Sequence, residues 1–244
     1  MKGYGNRAKT KKIKLGWSFQ KQMVSIDEAI VQRRSIRAFD PQRPVPRETI
    51  YHLLRLAGRA PSGSNIQPWR VWVAKDDTLK AITDVCLARH NAGDAGQRPY
   101  NYYPVTWRSP YIERRRATGW GLYNLLNITR ENKQAMHEQH ARNYKFFDAP
   151  VGLFFSIDQD MEIGSWLDFG MFLQTLMLAA IGSGLATCPQ AAFCNYHDSV
   201  KPILGIPDDQ IFVCGMSLGY PLADAEVNNF QPERLDPKEF TTFV

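Results

Sequence analysis

Residues 33–39, RRSIRAF, place Arg33, Arg34, Ser35 and Arg37 within five positions, with no acid among them. Planar guanidinium forks, a hydroxyl and free backbone N–H groups are the donors that a phosphate recruits. The ordinary alternative is a solvated basic end to a helix, which the helix dipole favours. A second stretch, APSGSNIQPW at 60–69, adds Pro61, Ser62, Gly63, Asn65 and Gln67. Its hydroxyls, amides and glycine suit a loop whose backbone approaches a ligand closely, and Trp69 offers that loop an apolar anchor. Read blandly, it is a polar turn. One predicted helix separates the two stretches, and together they point to a bound phosphate carried by a cofactor.

Three other patterns carry less. GMSLG at 215–219 matches the serine-hydrolase elbow, but Tyr220-Pro221 follows where a helix must begin, and the last histidine, His197, precedes Ser217. His137 and His140 are three apart, not the four that a helical zinc site needs, so a charged helix surface is the reading and no metal is expected. GSGLATC lacks the dinucleotide spacing and follows no strand.

The elements that must position these residues mix helices and strands without regular alternation, which favours α+β. Ser25 and Glu28 form a capping box that opens a helix ending near Arg34. Pro46 opens a second, with Ile50, Leu53, Leu54 and Ala57 on one face. Strands are predicted at 71–75, 150–158 and 211–221, and helices at 78–90 and 162–181. The apolar run 166–180 contains Asp168 and Gln174; it is too short and polar for a membrane span and reads as a buried core helix.

The 244 residues, 44% hydrophobic, read as one domain at 25–244 behind a basic extension at 1–24. The net charge is +6, yet residues 1–22 alone hold seven cations and no acid, so the rest sums to −1. The basicity therefore belongs to a tail, read as solvated or draped over a partner subunit, rather than to a nucleic-acid-binding body. That tail lacks the apolar core of a secretory signal. Cys86, Cys188, Cys194 and Cys214 form no CxxC pair, and reduced thiols in a cytoplasm are expected.

RRSIRAF, APSGSNIQPW, GLATCPQAAF at 184–193, and MSLGYP with a later Asn and Arg occur in the order seen in the FMN-dependent nitroreductase family. The chain resembles that family from Ile26 to about Phe240, and is most similar to its nitrobenzoate reductase branch. The resemblance implies a nitroreductase-like fold: a central, mostly antiparallel sheet flanked by helices, in an intertwined homodimer with two shared FMN sites. Arg33 and Ser35 would bind the FMN phosphate, with Arg34 beside them and Arg234 completing the site. Arg37 would reach the pyrimidine end of the ring. Pro61, Ser62, Gly63 and Asn65, joined by Gln67, would come from the partner chain to touch ring and ribityl. Thr187, Cys188, Pro189 and Gln190 would pack against the ring, with a backbone N–H of that loop near N5.

The implied activity is a ping-pong oxidoreductase. NADH or NADPH reduces FMN and leaves, then a nitroaromatic such as a nitrobenzoate enters the same pocket and is reduced through nitroso to hydroxylamine. The chemistry sits at the flavin N5, so no catalytic side chain is demanded. Alternatives are relatives that dehalogenate reductively or cleave flavin, and a flavin-binding protein without turnover. Ala191-Ala192 stand where many family members carry Glu-Gly, which bears on nicotinamide preference. Residues 98–148, dense in aromatics and arginines, are expected to form a lid. There Arg108, Arg114, Arg115 and Arg116 either face solvent or hold a substrate carboxylate.

Overall fold

The computed structural model describes residues 24–244, so the basic extension, Val24 apart, lies outside the described residues. Seven helices are described: α1 (Ile26–Gln32), α2 (Arg47–Ala57), α3 (Asp76–Asn91), α4 (Tyr111–Leu125), α5 (Lys133–Ala141), α6 (Ile163–Gly182) and α7 (His197–Leu204). Four strands, β1 (Arg70–Ala74), β2 (Val151–Asp158), β3 (Ala186–Gln190) and β4 (Gln210–Gly219), form one antiparallel sheet in the order β1-β2-β4-β3.

Local signals account for much of this. The Ser25 hydroxyl accepts from the Glu28 N–H at 3.2 Å while the Glu28 carboxylate accepts from the Ser25 N–H at 2.7 Å, closing the capping box of α1. Strand β2 is buried on both faces, because apolar layers cover the sheet from either side. On one side Phe155, Leu153 and Ile157 meet Leu53 of α2 and Phe169, Phe172 and Leu176 of α6. On the other, Phe154 and Phe212 meet Phe146 and Phe193. Each buried phenylalanine contributes about 1.5–3 kcal/mol. Gly215 makes the second layer possible: a Cβ there would lie 2.7 Å from the Phe193 ring.

Two elements differ from the sequence reading. Residues 186–190, expected as part of a loop, are a strand. Pro189 hides it in the sequence, but β3 is the sheet edge, where a missing N–H is tolerated. The long apolar helix is not fully buried either. Phe169, Phe172 and Leu176 face the core, whereas Ile163, Leu167 and Met171 are exposed in one stripe. By length and composition α6 could cross a membrane, but here one face packs in the core and Asp168 and Gln174 interrupt it.

Candidate functional site

The chain leaves α1 at Arg33 in an extended conformation and runs beside β3. Ser35 bridges Thr187 in parallel, and the Ile36 N–H donates to the Thr187 carbonyl at 3.1 Å. This tie fixes RRSIR to the sheet edge. Beyond it, the Asn228 side chain clamps the segment. Its Oδ1 accepts from the N–H groups of Arg37 at 2.9 Å and Ala38 at 3.1 Å, and its Nδ2 donates to the carbonyls of Ala38 at 2.8 Å and Leu222 at 3.1 Å.

Arg33, Arg34 and Arg234 then converge on one pocket of 510 Å³, with Gln174 of α6 on its wall and no acid lining it. Among the described residues none of the three arginines has an ion-pair partner, while five carboxylate pairs form elsewhere. Burial first, and the charge of Arg234 second, hold the Arg33 guanidinium below its ordinary range. Three crowded cations without a carboxylate form a site that an anion stabilises. Arg37 sits one step away, its Nη1 donating to the Ser35 carbonyl at 3.3 Å and its guanidinium 5.9 Å from the Phe230 ring.

A larger cleft of 630 Å³ opens along α6 beside this pocket: Leu173 lines the cleft and its neighbour Gln174 lines the arginine pocket. Pro189, Gln190 and Ala191 form one wall of the cleft, and Tyr100, Tyr102, Tyr103 and Trp166 another. Thr187, Cys188 and Gln190 are almost wholly buried, and of this strand only Pro189 is exposed. The Gln190 amide is committed internally: Nε2 donates to the Asn143 carbonyl at 2.6 Å, and Oε1 lies 2.7 Å from the Ser217 hydroxyl. That hydroxyl also lies 2.8 Å from the Phe146 carbonyl, so Ser217, in mid-strand, is a structural link and not a nucleophile. Burial pushes the Cys188 thiol up to about 11, against the opposing pull of Arg37 and Ser35, so the thiol is neutral and unreactive at neutral pH.

The 61–67 loop lines neither pocket in this chain. It is pinned to α6 instead: the Gly63 N–H donates to the Asp168 carboxylate at 3.0 Å, and Trp69 stacks on Phe172 at 4.8 Å. Ser64, Asn65 and Gln67 all have positive φ, and the Ser62 hydroxyl accepts from the Gln67 N–H at 3.0 Å. The loop is thus built in an unusual shape and leaves Pro61, Gly63, Asn65 and Gln67 exposed. Strained turns of this kind cluster where backbone meets a ligand.

Asp168 and Gln174 had no role in the sequence reading, where they only broke an apolar run. That polarity was itself the signal. Among the described residues no group of His, Cys, Asp and Glu could hold a metal ion. His90 and His137 stack instead at 4.0 Å, and the His140 ring lies 5.1 Å from His90.

The nitroreductase family model matches residues 30–220. A 4-nitrobenzoate reductase of Pseudomonas putida is 38% identical over 218 residues, 89% of this chain and 95% of that protein. A nitrobenzene nitroreductase of Ectopseudomonas oleovorans is 38% identical over 220 residues, 90% of this chain and 96% of that protein. The crystal structure of the FMN-dependent nitroreductase NfnB from Mycobacterium smegmatis, in complex with NADPH, superposes with a TM-score of 0.84 at 32% identity, covering 89% of this chain and 97% of that one. The chain belongs to the nitroreductase family.

Proposed function

We propose that the chain is an FMN-dependent oxidoreductase that uses NADPH or NADH to reduce nitroaromatic compounds. The observation that carries this reading is the acid-free arginine pocket of Arg33, Arg34 and Arg234, which opens beside an aromatic cleft of the right size for a flat ring. The donor set fits a flavin phosphate: three guanidiniums without carboxylate partners line the pocket, and Ser35, which follows Arg34 in the chain, is tied to Thr187 just outside its lining.

When bound, the flavin accepts and donates the electron pairs of both half-reactions. The chain supplies binding and electrostatics. Arg33, Arg34 and Arg234 would neutralise the phosphate, Ser35 would donate a hydrogen bond to it, and Arg37 would bring positive charge to the ring. Pro189, with the buried strand of Thr187 and Cys188 behind it, would give the ring a rigid floor. Tyr100, Tyr102 and Trp166 exclude water and offer faces for an aromatic substrate.

Residues 25–244 act here as one domain, and two copies make the enzyme. The apolar stripe of Ile163, Leu167 and Met171 is exposed on the same helix that pins the 61–67 loop through Asp168. A second copy laid on α6 would bury that stripe and deliver Pro61, Ser62, Gly63, Asn65 and Gln67 to the partner's site.

The test is a visible spectrum of purified protein, followed by NADPH without oxygen and then 4-nitrobenzoate. Flavin bands that bleach with NADPH and return with the nitro compound support the reading. Protein that stays colourless after added FMN overturns it.

A further inference from the structure

We infer that Arg98, held in place by Asn195 and reinforced by Arg115, selects anionic ring substrates, aromatic carboxylates, at the mouth of the cleft. This deepens the flavoenzyme reading and rests on it.

The cleft walls are largely neutral and flat. Tyr102 meets Tyr103 edge-on at 4.7 Å, and Tyr100 meets Trp166 edge-on at 4.9 Å. Such walls accept any planar ring. Charge enters at Tyr103, a cleft residue. The Arg98 guanidinium lies 5.9 Å from its ring and that of Arg115 lies 5.8 Å away, with Arg115 also 4.6 Å from Trp107.

Arg98 is half-buried, and among the described residues it has no carboxylate partner. Its Nε donates to Asn195 Oδ1 at 2.7 Å, while neither Nη nitrogen has a hydrogen-bond partner among the described residues. The charge of Arg98 reaches the Tyr102 phenol inside the cleft, where it opposes the upward push of burial. The one acid lining the cleft, Glu162, pairs with neither arginine.

The arrangement is built rather than incidental. Gly96 has φ of 67°, and a Cβ there would lie 2.0 Å from the Asn195 carbonyl. That same carbonyl accepts from the Gln97 N–H at 2.9 Å. Asn195 thus contacts Gly96, Gln97 and Arg98 in succession and anchors the guanidinium by Nε beside Tyr103 at the rim of the cleft, leaving two nitrogens spare. A carboxylate can take both in bidentate fashion, whereas an uncharged ring gains only stacking. The two relatives above are named for an anionic and a neutral substrate and share the same 38% identity, so identity does not decide between them; Arg98 does.

The experiment titrates FMN-loaded protein with 4-nitrobenzoate and with nitrobenzene, following tryptophan quenching, and measures kcat/KM for both. Arg98→Gln is expected to weaken 4-nitrobenzoate about tenfold or more and leave nitrobenzene within about twofold. Arg98→Lys keeps the charge but not the fork, so it falls between. Arg115→Gln moves the same ratio by less. Equal shifts for both compounds, no shift, or a wild type indifferent to the carboxylate would overturn the inference. Protein that takes up no FMN fails earlier and brings down both readings. Protein that bleaches with NADPH but shows an unmoved ratio loses only the anion selection.

Discussion

Asn228 holds Arg37 in position across 191 residues of chain, its side-chain oxygen accepting from the Arg37 N–H at 2.9 Å. The same amide serves Ala38 twice and Leu222 once, and it is almost fully buried. The C-terminal segment therefore fixes the backbone of Arg37 and Ala38, which follows Arg33 and Arg34 in the chain.

Asn228→Ala removes these bonds and strands buried N–H and carbonyl groups. The expected loss is about 2–4 kcal/mol of stability, which lowers the melting temperature by roughly 5–15 °C. Flavin affinity should fall with it, since Arg37 is no longer held. A thermal melt with an FMN titration checks both.

Arg33→Ala and Arg234→Ala should each weaken FMN about 10–100-fold. Riboflavin, which lacks the phosphate, should bind as before. Titration of apoprotein by flavin fluorescence reads the difference. Equal losses for both flavins would show that these arginines do not meet the phosphate.

Asp168→Ala frees the Gly63 N–H and should destabilise the chain by about 1–3 kcal/mol. Asp168→Asn keeps an acceptor and should cost less. Hydrogen exchange offers the sharper measurement: the Gly63 amide should exchange faster in the alanine variant, while amides of β2 stay protected.

Acid should weaken the fold through the histidine stack. Burial chiefly, then the charges of His90, His137 and Arg98, hold His140 below its ordinary value. Glu138 and Lys145 line the neighbouring pocket with His137. A base with a depressed folded pKa is neutral in the native state and protonates first when unfolded. Its contribution is complete above about pH 6.5 and is lost as pH falls toward the folded value. The urea midpoint should drop between pH 8 and pH 5.5, and His140→Phe should reduce that drop. An unchanged slope in the variant would remove the stack from the account.

The arginine pocket was legible because its chemistry is local. RRSIR and the 60–69 loop announce themselves by composition, and the capping box by spacing. What the sequence hid depends on long-range contact. Pro189 disguised an edge strand whose partners lie elsewhere in the chain. Gln190 lines the cleft, but that its amide also ties Asn143 to Ser217 shows only in the fold. Asp168 and Gln174 read as interruptions until α6 placed one under a loop and the other on a pocket wall. Arg98 was one cation among many until Asn195 singled it out.

Helix α6 acts as a ruler with four marks: Trp166 and Leu173 on the aromatic cleft, Asp168 under the 61–67 loop, and Gln174 on the arginine pocket. Inserting one residue would rotate every later mark by about 100°. One insertion there would therefore disturb the cleft, the loop and the arginine pocket together. The 100–115 stretch carries no such mark, although Tyr100, Tyr102 and Tyr103 form a wall of the same cleft. Substitution of Tyr102 or Tyr103, each about half exposed, would reshape the cleft without turning α6.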